Sequence, residues 1–330
     1  MGDLRRYSLV NGRLRALRGT LLGPAALETL YGYPTPATMR EALQRTPYDN
    51  DVTGRVVVVG RALIERLDGA PRELLWLYLQ RYEVDALKLA IRVVTARRNA
   101  ATAASLVVDL GPLATIDAAA LLKASDLDDL IRRLTGSPYH PVLQAARLRL
   151  DGLAGFGFES AVEMDFYERL WSISEKLDPS DRDRVRPLLR VLYDILNLHW
   201  IAHFRDGNQL SAEEILNYTL REGEWTTLDR RRRLAQVPGE WLGALAGTPF
   251  ETFALGAERD GPDAALPQLW RVLSAAVRRA LRGYPFHAAA PLALVMAQEL
   301  EIRDVQVLLA MKRLGVPSCD ALASLATGTG

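Results

Sequence analysis

Cysteine is nearly absent: Cys319 stands alone among 330 residues. One thiol excludes an internal disulfide and any metal site built on paired cysteines, and it suits a reducing compartment. Lysine is scarce as well. Lys88, Lys123, Lys176 and Lys312 are four of 41 basic residues, and the rest are arginine, a bias that fits a GC-rich genome as well as it fits a function. Neither sign of charge dominates, because 40 acidic residues leave a net charge of +1. That balance argues against a nucleic-acid partner held by bulk charge. Long apolar runs are missing. The longest stretch without a charged residue, Gly283 to Gln298, has 16 residues and contains Pro285 and Pro291, too short and too broken to span a bilayer. The opening Met1–Arg6 lacks the apolar core of a signal peptide. Any contact with a membrane is therefore expected through other proteins.

Strand signals are also lacking. No Asn-Gly turn sits between alternating runs, and Val56–Val59 leads straight into Arg61–Leu67, which reads as the buried face of a helix start. What is present is helical period. Leu188, Leu189, Leu192, Leu196 and Leu198 recur at three- and four-residue spacings, as do Leu269, Val272, Leu273, Val277 and Leu281. With 49% hydrophobic residues to bury, the chain reads as all-α.

Three elements recur in the same order. The first is a corner: Leu43 to Thr46-Pro47-Tyr48, Leu134 to Ser137-Pro138-Tyr139, and Leu245 to Thr248-Pro249-Phe250. Met39, Leu130 and Trp241 stand four residues before each leucine, so each pair forms a stripe on a short helix. The hydroxyl residue reads as an N-cap, and proline suits the first turn of the next helix. The second element pairs Gly111–Asp117 with Gly223–Asp229. The third aligns Tyr82–Lys88 with Tyr193–His199 and, more loosely, Leu300–Gln306, placing Ala86, Asn197 and Asp304 at equivalent positions. The expectation is three helical repeats of about 110 residues, 1–110, 111–222 and 223–330, with joints near Gly111 and Gly223.

No catalytic constellation emerges. His199 and His203, four apart on a helix, are spaced to chelate zinc, but Trp200 stands where a metalloprotease helix needs glutamate, and no third ligand is evident. They read as helix-face histidines, and His140 and His287 as loop or corner packing. A dinucleotide fingerprint, a phosphate-binding loop and a nucleophile elbow are all lacking. Arg230–Arg233 has no interleaved aromatics and reads as a solvated helix face, and Cys319 falls in a weakly structured tail from Ser318. No cofactor is expected.

The threefold corner followed by a helix of the type Tyr-acid-x-x-Asn-Leu, best kept at Tyr193–Leu198, resembles the central-stalk C subunits of V/A-type rotary ATPases, relatives of the eukaryotic d subunit. The likeness runs over essentially the whole chain, and Tyr7 to Leu22 resembles that family's first helix. Ala86 departs from the asparagine the family often carries, and Asp304-Val305 departs in the third copy. The resemblance implies a funnel of three similar lobes about a pseudo-threefold axis. It implies a non-enzymatic socket at the cytoplasmic side of a membrane, seated on the proteolipid rotor ring, receiving the shaft subunits D and F, and passing torque during ion transport. On that reading Lys88, Arg92, His199, His203 and Gln306, on the late helices of the three copies, are candidate shaft contacts. The competing readings are a generic helical-repeat scaffold and an all-α metal enzyme using His199 and His203.

Overall fold

The computed structural model describes residues 2–48, 52–149, 155–207, 210–237 and 239–327. Among these there are helices, turns and no strand. The chain opens with α1 (Gly2–Arg18), α2 (Gly23–Tyr31), α3 (Pro36–Leu43) and α4 (Gly54–Ile64). Next come α5 (Gly69–Leu79), α6 (Arg81–Ala96), α7 (Ala100–Ala104), α8 (Ala118–Leu121), α9 (Leu127–Arg133), α10 (His140–Arg149) and α11 (Phe156–Glu175). The remainder is α12 (Pro179–Gly207), α13 (Ala212–Asn217), α14 (Leu228–Gln236), α15 (Trp241–Leu245), α16 (Glu251–Asp260), α17 (Pro262–Arg282), α18 (Ala289–Arg313) and α19 (Ser318–Ala323). The valine run opens α4 as a helix, with Val56, Val57 and Val59 buried and Val58 facing out.

Two compact units form. One is Asp68–Lys176; the other joins Met1–Leu67 to Leu177–Gly330. In the larger unit α17 packs on α12, α16 and α18, while α18 also receives α1, α2, α3 and α4. This is why the charge-free stretch before Gln298 exists: Ala289 to Met296 are buried on every side, and a helix buried all round has no face on which to carry charge. In the smaller unit α11 packs on α5, α6 and α10, and α6 on α7, α8 and α9.

The corners differ from the expected caps. Thr46, Ser137 and Thr248 each turn a backbone N–H to the carbonyl three residues back, on Leu43, Leu134 and Leu245, at 2.9, 2.8 and 3.1 Å. The predicted stripes hold, for Met39, Leu130 and Trp241 are buried with those leucines. The hydroxyls do not cap the next helix. Thr46 Oγ1 and Thr248 Oγ1 donate back to Leu43 and Leu245 at 2.6 Å and accept from the N–H of Tyr48 and Phe250. Ser137 Oγ is buried without a hydrogen-bond partner. Pro47, Pro138 and Pro249 lie in the turn rather than at a first helical position, since α10 and α16 begin two residues after their prolines and α4 seven after Pro47. A hydroxyl one turn short of the helix finds its own preceding carbonyl before it reaches a free N–H.

Two further expectations fail. The segment after Ser318 is not loose: α19 forms, and Leu325 and Ala326 are buried. Arg231 is not solvated. It is 4% exposed, and its Nη1 donates to Thr219 Oγ1 at 2.8 Å and the Leu220 carbonyl at 2.9 Å, because this position of α14 points inward. Arg230, Arg232 and Arg233 meet the Trp225 carbonyl, Asp229 and Glu240.

Candidate functional site

The residues that organise the molecule are carboxylates on the late helices. Glu83 on α6, Asp194 on α12 and Glu301 on α18 are each buried, and each follows the residue that opens the third recurring element. Glu83 accepts from the N–H and the hydroxyl of Thr115, from the Ile116 N–H and from the Tyr139 hydroxyl, the last at 3.0 Å. Asp194 accepts from the N–H groups of Glu224, Trp225 and Thr226 and from Thr226 Oγ1, the two Thr226 bonds at 2.7 Å. Glu301 accepts from the Gly23 N–H at 2.9 Å and from the Tyr48 hydroxyl, which Gln298 also bonds. Each acid thus fastens the loop that leads into a later or earlier corner. Tyr139 and Tyr48 supply a hydroxyl to two of the acids; Phe250 has none to offer, and Asp194 is filled by three backbone N–H groups and the Thr226 hydroxyl instead.

Charge inside the fold has the expected electrostatic signature. Burial pushes Asp194 and Glu301 above the usual carboxylate range, and their hydrogen-bond donors pull part of the way back. Burial, aided by the facing carboxylates, moves the Tyr48 and Tyr139 phenols well above their ordinary value. A fourth acid, Asp181 on α12, accepts from the Tyr7 hydroxyl of α1 and from the Ala288 N–H at 2.7 Å. Near it, burial and the neighbouring Arg184 hold His287 below its ordinary value, and its Nδ1 has no partner.

The sequence pairing of Thr115 with Thr227 shifts by one. The carboxylate partners are Thr115 and Thr226, while the helix caps are Asp117 on α8 and Thr227 on α14. The first loop therefore carries one more residue between grip and cap. Gly223 is required by close approach, since a Cβ there would overlap the Asp194 carboxylate and Thr226 Oγ1.

The proposed shaft residues fall on both units. Lys88 and Arg92 on α6 are engaged: Lys88 pairs with Glu163 at 2.8 Å, and Arg92 grips Glu159 with two nitrogens, the shorter bond 2.6 Å. Arg92 stays half exposed. His199 and His203 lie on the outer face of α12 with stacked rings 6.4 Å apart. Gln306 on α18 is exposed and reaches Thr53 Oγ1 at 3.2 Å. Among the described residues no group of three His, Cys, Asp or Glu is placed to hold a metal ion, so the histidine pair has no third ligand there. Sequence reasoning missed Glu83, Asp194, Glu301 and Asp181 as organisers. For the first three a signal existed, an acid recurring just inside an apolar stripe; for Asp181 there was none. No described helix is long and apolar enough to cross a membrane.

Among the described residues the fold is all-helical, and buried acids fasten its turns. Residues 10–320 match the model of the ATP synthase (C/AC39) subunit family, and the chain belongs to that family. The C subunit of the A-type ATP synthase of Methanocaldococcus jannaschii is 23% identical over 335 aligned positions, covering 93% of this chain and 83% of that relative. The likeness read from the corner and late-helix motifs therefore holds, and the chain is a structural subunit of an A/V-type ATP synthase complex.

Proposed function

We propose that this chain is a non-catalytic central-stalk subunit, a socket that couples a D–F shaft to a membrane proteolipid ring and transmits torque in ion transport. The observation that carries the reading is the family match over residues 10–320. Its place is the cytoplasmic side of the membrane, with the membrane met only through the ring and no nucleic acid bound. The three lobes, 1–110, 111–222 and 223–330, are supported by Glu83, Asp194 and Glu301 serving the same purpose at the same point of each copy. A torque adaptor needs joints that do not slip, and a buried carboxylate with several donors resists slippage because opening it strands a charge in an apolar interior. A ring of identical subunits meets three similar lobes through a spread, quasi-equivalent contact, whereas the shaft is one asymmetric object that needs a local surface.

The test is capture of a purified D–F shaft. Charge reversal at Arg92 would set two carboxylates against each other at Glu159, so the informative variant is His199→Glu with His203→Glu, on an outer face. Shaft affinity is expected to fall at least tenfold while the far-UV spectrum stays helical. Full-strength capture by this variant removes the outer face of α12 from the shaft contact.

A further inference from the structure

One position on the late helices does the same work in two copies and none in the third. Asn197, three residues after Asp194, donates through Nδ2 to the Leu220 carbonyl at 2.9 Å and to Thr226 Oγ1 at 2.8 Å, and accepts the Leu220 N–H at 2.7 Å. Asp304, three residues after Glu301, accepts the N–H groups of Ala326 and Thr327 at 2.8 Å and the Thr327 hydroxyl at 2.6 Å. In both copies the late helix clamps the stretch of chain 22 to 23 residues further on, just past a short helix, α13 or α19. The clamped residues are sealed: Leu220 is 3% exposed and Ala326 1%.

The equivalent in the first copy is Ala86, three residues after Glu83, and the stretch 22 to 23 residues on is Val108–Asp109, just past α7. A methyl group has no hydrogen bond to give. Among the described residues the Val107 N–H turns to the Ala104 carbonyl, and the Asp109 carboxylate bonds the Gly111 N–H; neither bond ties the stretch to α6. A cavity of about 500 Å³ opens where the clamp would stand, with Ala86, Val107, Val108 and Asp109 on its wall. Val108 is half-buried and Asp109 exposed, and only Leu110 is anchored by burial. The neighbouring grips survive: Gln80 holds the Leu113 carbonyl and Glu83 holds Thr115. The gap is confined to the missing side chain at position 86.

We infer that the first joint is the compliant one of three: Val107–Asp109 opens from α6 on its own, while Leu220 and Ala326–Thr327 stay locked to their late helices. The inference stands whether or not the chain carries torque. Local opening of this kind is set by the bonds that must break, and among the described residues none runs from this stretch to the late helix. Compliance of this sort follows from the side chain missing at position 86, beside the cavity that Ala86, Val107, Val108 and Asp109 line.

Amide hydrogen exchange on the full chain tests it. In the wild type the Val108 and Asp109 amides should exchange at least a hundredfold faster than Leu220, Ala326 and Thr327. Ala86→Asn, which adds a carboxamide into the existing cavity, should slow Val108 and Asp109 at least tenfold. Asn197→Ala, which removes a clamp without adding bulk, should speed Leu220 at least tenfold while leaving Ala326 unchanged. Equal protection of all three stretches in the wild type overturns the inference. So does unchanged Leu220 exchange in Asn197→Ala, a result that does not depend on whether Ala86→Asn folds.

Discussion

Glu301 shows what a single buried acid does here. It sits inside the larger unit with its charge matched by the Gly23 N–H and the Tyr48 hydroxyl rather than by a cation. Its folded pKa is raised by burial, so the native state keeps its proton to a higher pH than the unfolded chain does. More protons bound in the native state means that stability falls as pH rises through that window. Glu301→Gln removes this titration and keeps the shape; its Oε1 still accepts from Gly23, and its amide can donate to the Tyr48 oxygen. The variant should gain stability relative to the wild type as pH rises from about 4 toward neutrality. Urea unfolding midpoints measured across that range check it, and a constant difference between the two proteins would show that Glu301 does not titrate differently in the folded state.

The corners are where local sequence and tertiary contact meet. Each N–H-to-carbonyl turn is local, but the hydroxyls differ in what they do. Thr46 and Thr248 tie the turn to its own helix, whereas Ser137 buries an oxygen with nothing to bond. Removing a satisfied hydroxyl costs a hydrogen bond, about 1 kcal/mol; removing an orphan relieves a desolvated group. Thr46→Val and Thr248→Val should each destabilise by about 1 kcal/mol in chemical denaturation, and Ser137→Ala should be neutral or stabilising. Equal losses at all three positions would contradict the distinction. On the late helices, Arg92 and Lys88 hold α11 through Glu159 and Glu163, and His199 and His203 are exposed on α12.

At the scale of the whole chain, Ala326 and Thr327 close onto α18 of the larger unit. Asp304 is fully buried on α18, and its donors come from Ala326 and Thr327 beyond α19; Arg303 lies 3.7 Å away. A chain ending at Pro317 would leave that carboxylate without its N–H groups and uncover the apolar surface beneath Leu325. Stability should drop by roughly 2–4 kcal/mol, the range for a buried charge-assisted network opened on one side. A thermal melt of the shortened chain reads this directly. A midpoint equal to that of the full chain would mean that the terminal segment contributes no closure.

Composition and period were enough to determine that this is an all-helical chain, because the spacing of leucines along Leu188–Leu198 or Leu269–Leu281 leaves a helix only one face to bury. The corner motifs were legible for the same reason: Met39 and Leu43, or Trp241 and Leu245, meet within one turn. What each polar residue does was decided only in three dimensions. Arg231 is chemically identical to Arg230 and Arg232, and only the direction α14 faces sends it inward to Leu220. The Ser318–Thr327 tail reads as loose because its polar residues carry no periodic signal; it is ordered by Asp304, which precedes its clamped residues by 22 and 23 positions. Asn197 and Ala86 align in sequence, yet that one is a clamp and the other a gap became visible only when the distant stretches they face were placed beside them. Hydrophobic period acts between neighbours three or four residues apart, so sequence records it. The partner of a buried carboxylate can stand 32 or 253 residues away, as Thr226 does from Asp194 and Tyr48 from Glu301, and nothing local to either residue specifies it.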